Sequence, residues 1–142
     1  MKEPQILCAV RRVYVARTPE ECVRQALLSH LFRFGGYPEH LTRVEMPIDF
    51  FFASGTAPKR RLDIVCFQKK EDSLLPLLLI ECKAFTPHAS TTSQLFGYNF
   101  FVKAPFSAIA WQDSIVIYHK NAPLYQGLIS QMPSYNDLRG HT

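Results

Sequence analysis

The sequence predicts an α/β fold, a mixed β-sheet flanked by helices. Three observations lead there. Arg61–Phe67 and Leu78–Ala84 are short apolar runs of strand character, separated by the charged segment Gln68–Ser73, which reads as a loop. A helical pattern with a distinct start and stop precedes this pair, and another follows it. Two more strand-like runs come after the second helix. The resulting order is helix, three strands, helix, strand, strand, in the manner of a mixed sheet with helical cover.

Taken in order, residues 6–15 favour an extended segment that adds a strand at the sheet edge. Thr18-Pro19-Glu20-Glu21 is a helix start, with Thr18 as N-cap, Pro19 at N1 and Glu21 at N3 completing a capping box. Val23, Ala26, Leu27 and Leu31 then recur at helical spacing as a buried face, and Gly35-Gly36-Tyr37-Pro38 stops the helix near Phe34. Residues 43–52 form a first strand, confined to an edge or a bulge by Pro47. Ser54–Pro58 is a turn. After the strand pair, Thr86-Pro87 and the Ser/Thr group at 90–93 lead into a helix from about Ser93 to Ala104, closed by Pro105. Phe106–Trp111 and Ile115–His119 are two more strands. Residues 121–142 show little periodicity and read as a wrapping tail on a core of about 18–119.

A chain of 142 residues makes one domain, and 47% hydrophobic with 20% charged residues argues against disorder. The net charge of +4 is compatible with a polyanionic partner without demanding one. Cys8, Cys22, Cys66 and Cys82 have no CxxC spacing, which suggests free thiols, and the five histidines show no zinc-ligand spacing. With no signal-peptide-like start and no apolar run long enough to span a bilayer, the expectation is a soluble cytoplasmic protein.

The chemistry concentrates in the strand pair. If it folds as an antiparallel hairpin about Asp72, Asp63 stands opposite Glu81, and Lys83 shares a face with Glu81. Two carboxylates and an ammonium then meet at one end of the hairpin, as a divalent-metal site beside a cation. The structural alternative is a cross-strand salt bridge on an exposed face. Gln94 and Tyr98 lie four apart on one helix face. They either reach the site or divide between solvent and core. Glu45 sits among apolar neighbours, near the site or in an internal ion pair.

Asp63, then Glu81-x-Lys83, then Gln94-x-x-x-Tyr98 resembles the PD-(D/E)xK nuclease superfamily, in its Q-x-x-x-Y variant. More narrowly, Thr18-Pro-Glu-Glu-x-Val-Arg-Gln, Gly36-Tyr-Pro, Glu45, Arg61-Leu-Asp-Ile-Val and Ile80-Glu-Cys-Lys-Ala are similar to the N-terminal nuclease domain of type I restriction enzyme R (HsdR) proteins, across about residues 18–119. The helicase motor domains that follow in those proteins are not in these residues.

The resemblance implies a restriction-endonuclease-like core and magnesium-dependent hydrolysis of DNA phosphodiesters, with manganese as a substitute. Asp63 and Glu81 are then metal ligands together with the Cys82 backbone carbonyl, and Lys83 handles the attacking water. Gln94 and Tyr98 would hydrogen-bond the lysine or a phosphate. Glu20, from the first helix, would approach the metal. Its bland reading is a favourable charge at a helix N-terminus. Glu21 is the poorer candidate, since the capping box already explains it. Lys59, Arg60, Arg61 and Lys103 are candidate phosphate contacts or a solvated loop end. A homodimer or a partner protein is expected for cutting both strands. A catalytically silent nucleic-acid-binding or accessory module of the same fold is the alternative.

Overall fold

The chain begins with a small hairpin, β1 (Gln5–Leu7) and β2 (Tyr14–Ala16), which forms a two-stranded sheet of its own. The structure, a computed structural model, describes residues 3–51 and 60–141. The extended segment expected at the edge of the main sheet is therefore two short strands and a turn, set apart from it. The turn at Ser54–Pro58 lies outside the described residues.

Helix α1 (Pro19–Arg33) starts where expected, with Thr18 Oγ1 accepting the Glu21 amide at 3.1 Å. Val23, Leu27, Leu28 and Leu31 form its buried face, whereas Ala26 is exposed, contrary to expectation. Gly36 closes the helix with φ +71°, a left-handed conformation that costs glycine nothing. Strand β3 (Thr42–Pro47) ends at its proline, and Ile48–Phe51 turns away as a short 3-10 helix, so the strand expected over 43–52 is half that length.

The central hairpin pairs β4 (Arg61–Lys70) with β5 (Ser73–Lys83) antiparallel. Both strands run much further into the charged segment than expected, leaving only Glu71 and Asp72 as the turn. Exposed polar side chains are no obstacle at a hairpin tip that projects into solvent, and Glu71 takes the positive φ of 55° that a tight two-residue turn requires. Between Cys66 and Phe67 the register shifts: Phe67 pairs with Pro76 and Cys66 with Leu78, making Leu77 an extra residue in β5.

Helix α2 (Ala89–Val102) starts four residues earlier than expected and connects β5 to the parallel strand β6 (Phe106–Trp111). Strand β7 (Ser114–His119) follows in an antiparallel pair. The expected tail is instead ordered structure. Strand β8 (Ala122–Leu128) pairs with β7, and helix α3 (Tyr135–His141) returns to the sheet. Its weak periodicity follows from an edge strand with only partial burial and a helix of two turns.

The main sheet thus has the order β3-β4-β5-β6-β7-β8. On one face α1 and α3 cover Ile64, Leu78, Ile80, Phe106, Ile115 and Ile117; on the other, Leu95 and Val102 of α2 cover Val65, Leu79, Ile109 and Val116. The expected order of elements is found within this α/β architecture, with the β1–β2 hairpin added before it and β8 and α3 after it. All four cysteines are free.

Helix α3 is held to the sheet by Tyr135, which is buried and donates its hydroxyl to the Phe67 carbonyl at 3.1 Å. Tyr135→Phe is expected to cost about 1–2 kcal/mol by leaving that carbonyl unpaired, and Tyr135→Ala about 3–5 kcal/mol. Urea unfolding measures both; a wild-type midpoint for Tyr135→Ala would contradict the docking of α3.

Candidate functional site

The hairpin's regular pairing stops at Ile64 and Ile80, one step short of Asp63 and Glu81. Beyond that point the Asp63 side chain replaces the ladder: its Oδ2 accepts the Cys82 amide at 2.8 Å. The bulge at Leu77 makes this possible. Pairs near the tip are offset by one residue from those near the site, so the extra residue is what brings Asp63 beside Glu81.

Asp63 is also where two strands turn over together. Val44 and Ile64 face the α1 side, whereas Met46 and Leu62 pack on the α2 side, although each pair is two residues apart and ordinary alternation would keep it on one face. The inversion centres on Glu45 and Asp63. The β3–β4 pairing skips these two residues, and Glu45 takes a φ of 56°. A glutamate in the left-handed region within a strand is a local strain.

Helix α1 enters from one side. Arg24, buried in the helix, grips Glu21 with two nitrogens (Nε–Oε2 2.9 Å, and Nη2 with Oε1). Its Nη1 holds Glu45 Oε1 at 2.5 Å and lies 3.6 Å from Asp63 Oδ1. Gln25 adds a bond to Glu21 at 2.8 Å and accepts the Ala9 amide, tying in the β1–β2 turn. Thr18, Glu20, Glu21, Arg24, Glu45, Asp63 and Cys82 line a cavity of about 200 Å³ beside this network.

Glu21 therefore is the helix glutamate that reaches inward, correcting the expectation that it merely completes a capping box. Thr18 makes its half of the box, but the Glu21 carboxylate goes to Arg24 one turn on. Glu20 stands exposed on the cavity rim. Arg24 was not among the expected site residues. Its signal was available: it falls on the buried side of α1 beside Val23, where a guanidinium needs several acceptors.

Glu81 and Lys83 alternate with Cys82, whose thiol is buried in the α1-side core. Glu81 is 8% exposed, and its Oε1 has no hydrogen-bond partner among the described residues. Burial, reinforced by the charge of Asp63, pushes the Glu81 carboxyl up to about 8. Asp63 is raised too, by burial first and by Glu45, against the pull of the Cys82 amide, Arg24 and Lys83. Glu21 is different: burial works to raise it, but bonds from Arg24 and Gln25 hold it below the usual carboxylate range. Glu21 and Glu45 outweigh the burial of Arg24 and keep it firmly cationic. Lys83 draws both Asp63 and Glu81 downward, yet no ion pair among the described residues involves it.

Gln94 is exposed, and Tyr98 is half-buried against the α2-side core; burial together with the charge of Glu81 raises the Tyr98 hydroxyl, putting it within electrostatic reach of the hairpin end. Arg60 is exposed and acts on Tyr98 from the opposite direction. Arg61, also exposed, donates to the Glu45 carbonyl at 3.3 Å. Lys59 lies outside the described residues. Lys103 terminates α2 in a left-handed conformation, beyond the helix face that carries Gln94 and Tyr98.

The profile of the type I restriction enzyme R protein N terminus (HSDR_N) matches residues 19–133, most of the chain. The chain belongs to that family. This makes it a restriction-enzyme-like nuclease domain by descent. No curated protein and no solved structure gives a significant match. Among the described residues of this HSDR_N domain, no helix is long and apolar enough to cross a membrane.

Among the described residues no three His, Cys, Asp or Glu side chains gather as a ready metal cage. Magnesium does not require one, because it keeps several waters and takes one or two carboxylates. An orphaned buried oxygen on Glu81, next to a second carboxyl that raises it, is a place short of positive charge. The oxygen donors of Asp63 and Glu81 suit such a hard cation.

Glu81 also makes a prediction for the metal-free protein. Its carboxyl is neutral in folded and unfolded chains at pH well below 4.5, so it costs nothing there. As pH rises from that range through about 8, the unfolded chain ionises first and stability falls. Glu81→Gln is expected to melt above wild type at pH 8.5 in EDTA, with the difference closing toward pH 4.5. An equal offset at both ends in thermal scans would contradict the assignment.

Proposed function

We propose that this domain is a divalent-metal-dependent nuclease of the PD-(D/E)xK type that hydrolyses phosphodiester bonds of DNA. The observation that carries the reading is the pairing of half-buried Asp63 with buried Glu81 at a hairpin end, with Lys83 beside them, in a chain of the HSDR_N family. Magnesium, with manganese as substitute, is the metal the donors favour. Bound there, it supplies charge neutralisation at the phosphate and acidifies a water.

The protein's own groups divide the remaining work. Asp63 and Glu81 provide the anionic cradle, and the Cys82 amide fixes one oxygen of Asp63 so that the other stays directed. The Cys82 carbonyl is the backbone donor this reading adds. Lys83 sits where it can orient the attacking water, take up its proton or stabilise charge in the transition state. Gln94 and Tyr98, on one face of α2, would hydrogen-bond the lysine or a substrate phosphate, a role supported by the electrostatic coupling of Tyr98 to Glu81. Glu20 on the cavity rim is a further outer ligand. Arg60, with Lys59, supplies phosphate contacts that position DNA without reading its sequence; Lys103, at the start of β6 on the opposite end of the sheet, lies away from them. A second copy or a partner protein would be needed for coordinated cutting of both strands.

Cleavage of plasmid and single-stranded DNA in Mg²⁺ or Mn²⁺ tests the proposal. Wild type is expected to cut, Glu81→Ala and Lys83→Ala to fall by at least about 100-fold. Lys83→Ala should retain Mn²⁺ binding by calorimetry, whereas Asp63→Ala loses both. Wild-type cleavage by Glu81→Ala would sink the assignment. DNA binding with no cleavage by the wild type would make the domain an accessory module.

A further inference from the structure

Glu45 bears on the site from outside the Asp63, Glu81 and Lys83 set. Three independent features converge there. Its backbone is left-handed, φ 56°, in the middle of a strand, where a glutamate gains nothing from that conformation. It stands across from Asp63 at the one step that the β3–β4 pairing skips. Its carboxylate holds, at 2.5 Å, the same Arg24 nitrogen that lies 3.6 Å from Asp63.

Each feature has a consequence for Asp63. Regular β3–β4 pairing through this step would keep Val44 and Met46 on one face and Ile64 and Leu62 on one face. The inversion instead separates them and leaves Asp63 at the changeover, able to reach sideways to the Cys82 amide. The strained turn is held from outside by Arg61, which donates to the Glu45 carbonyl. From inside, the Glu45 and Glu21 carboxylates fix the guanidinium, so that its position relative to Asp63 is set by two other acids rather than by Asp63 itself.

We infer that Glu45 is a positioning residue for Asp63, with Arg24 as the intermediary. The backbone strain at Glu45 opens the ladder at Asp63, and its side chain keeps the counter-charge in place. Among the described residues Arg24 makes no ion pair with Glu81, and Asp63 is the hairpin acid it approaches, so its influence runs through Asp63. This inference deepens the metal-site reading above and rests on it for its functional consequence. Its structural part stands without metal.

The test is amide hydrogen exchange by NMR on the metal-free chain, combined with Mn²⁺ calorimetry. Glu45→Gln keeps the shape and removes the charge; Glu45→Gly suits the left-handed backbone and removes the side chain. Glu39→Gln, which removes only an exposed pair with Arg12, serves as control. Both Glu45 variants are expected to speed exchange of the Cys82 amide by about tenfold and weaken Mn²⁺ binding by about 10- to 100-fold, as loss of an outer-shell partner does. The amides of the Ile64–Ile80 and Val65–Leu79 pairs should keep their protection, and Glu39→Gln should change nothing. Unchanged Cys82 exchange would overturn the inference. So would an equal loss of protection at all these amides, because that marks general loosening. Faster Cys82 exchange in a protein whose wild type binds no Mn²⁺ would uphold the positioning role and refute the metal-site reading instead.

Discussion

Two neighbouring carboxyl groups, one buried and one half-buried, are the constraint on which the rest of this structure depends. A hairpin end that carried apolar residues at Asp63 and Glu81 would be more stable and would need none of the surrounding apparatus. With the acids in place, the protein compensates Asp63 from three directions: the Cys82 amide, the Arg24 guanidinium and the Lys83 ammonium. Glu81 receives less. Burial and Asp63 raise it, and one of its oxygens has no partner among the described residues. On that imbalance the proposed divalent-cation site rests.

The fold around this pair is built to tolerate it. Wholly apolar strand segments, Leu77–Ile80 and Ile64–Cys66, run up to the site and are buried on both faces by α1 and α2. Their burial supplies the stability that the polar end consumes. Glu45 puts a left-handed residue inside a strand at that same end, while the tip of the hairpin is exposed and charged. Helix α1 contributes in two ways at once: Leu27, Leu28 and Leu31 seal the sheet, and Arg24, held by Glu21, delivers counter-charge to its edge.

How much of this was legible depended on whether the relevant physics is local. The hairpin and its acids could be read because period-two burial and the charged turn specify the pairing within some twenty residues. Even there the agreement had a hidden cause. A turn at Glu71 and Asp72 alone gives a register one residue out at the site, and only the Leu77 bulge corrects it. The inward reach of Glu21 is illegible because capping rules treat a glutamate at N3 as satisfied by its own helix, whereas a buried arginine one turn later takes its carboxylate. Glu45's conformation was illegible, since nothing in a strand-like stretch announces a left-handed residue. Strand β8 and α3 were missed because short, half-buried elements leave no strong period.

The central claim is that Asp63 and Glu81 jointly hold a divalent cation. Its most direct test is anomalous diffraction from crystals soaked in Mn²⁺. The account predicts a single strong peak between the Asp63 and Glu81 carboxylates, with oxygens of both in the coordination sphere at about 2.0–2.3 Å. A Mn²⁺ bound by Glu20 or Glu21 with Glu81 untouched, or no peak at saturating Mn²⁺, would contradict it.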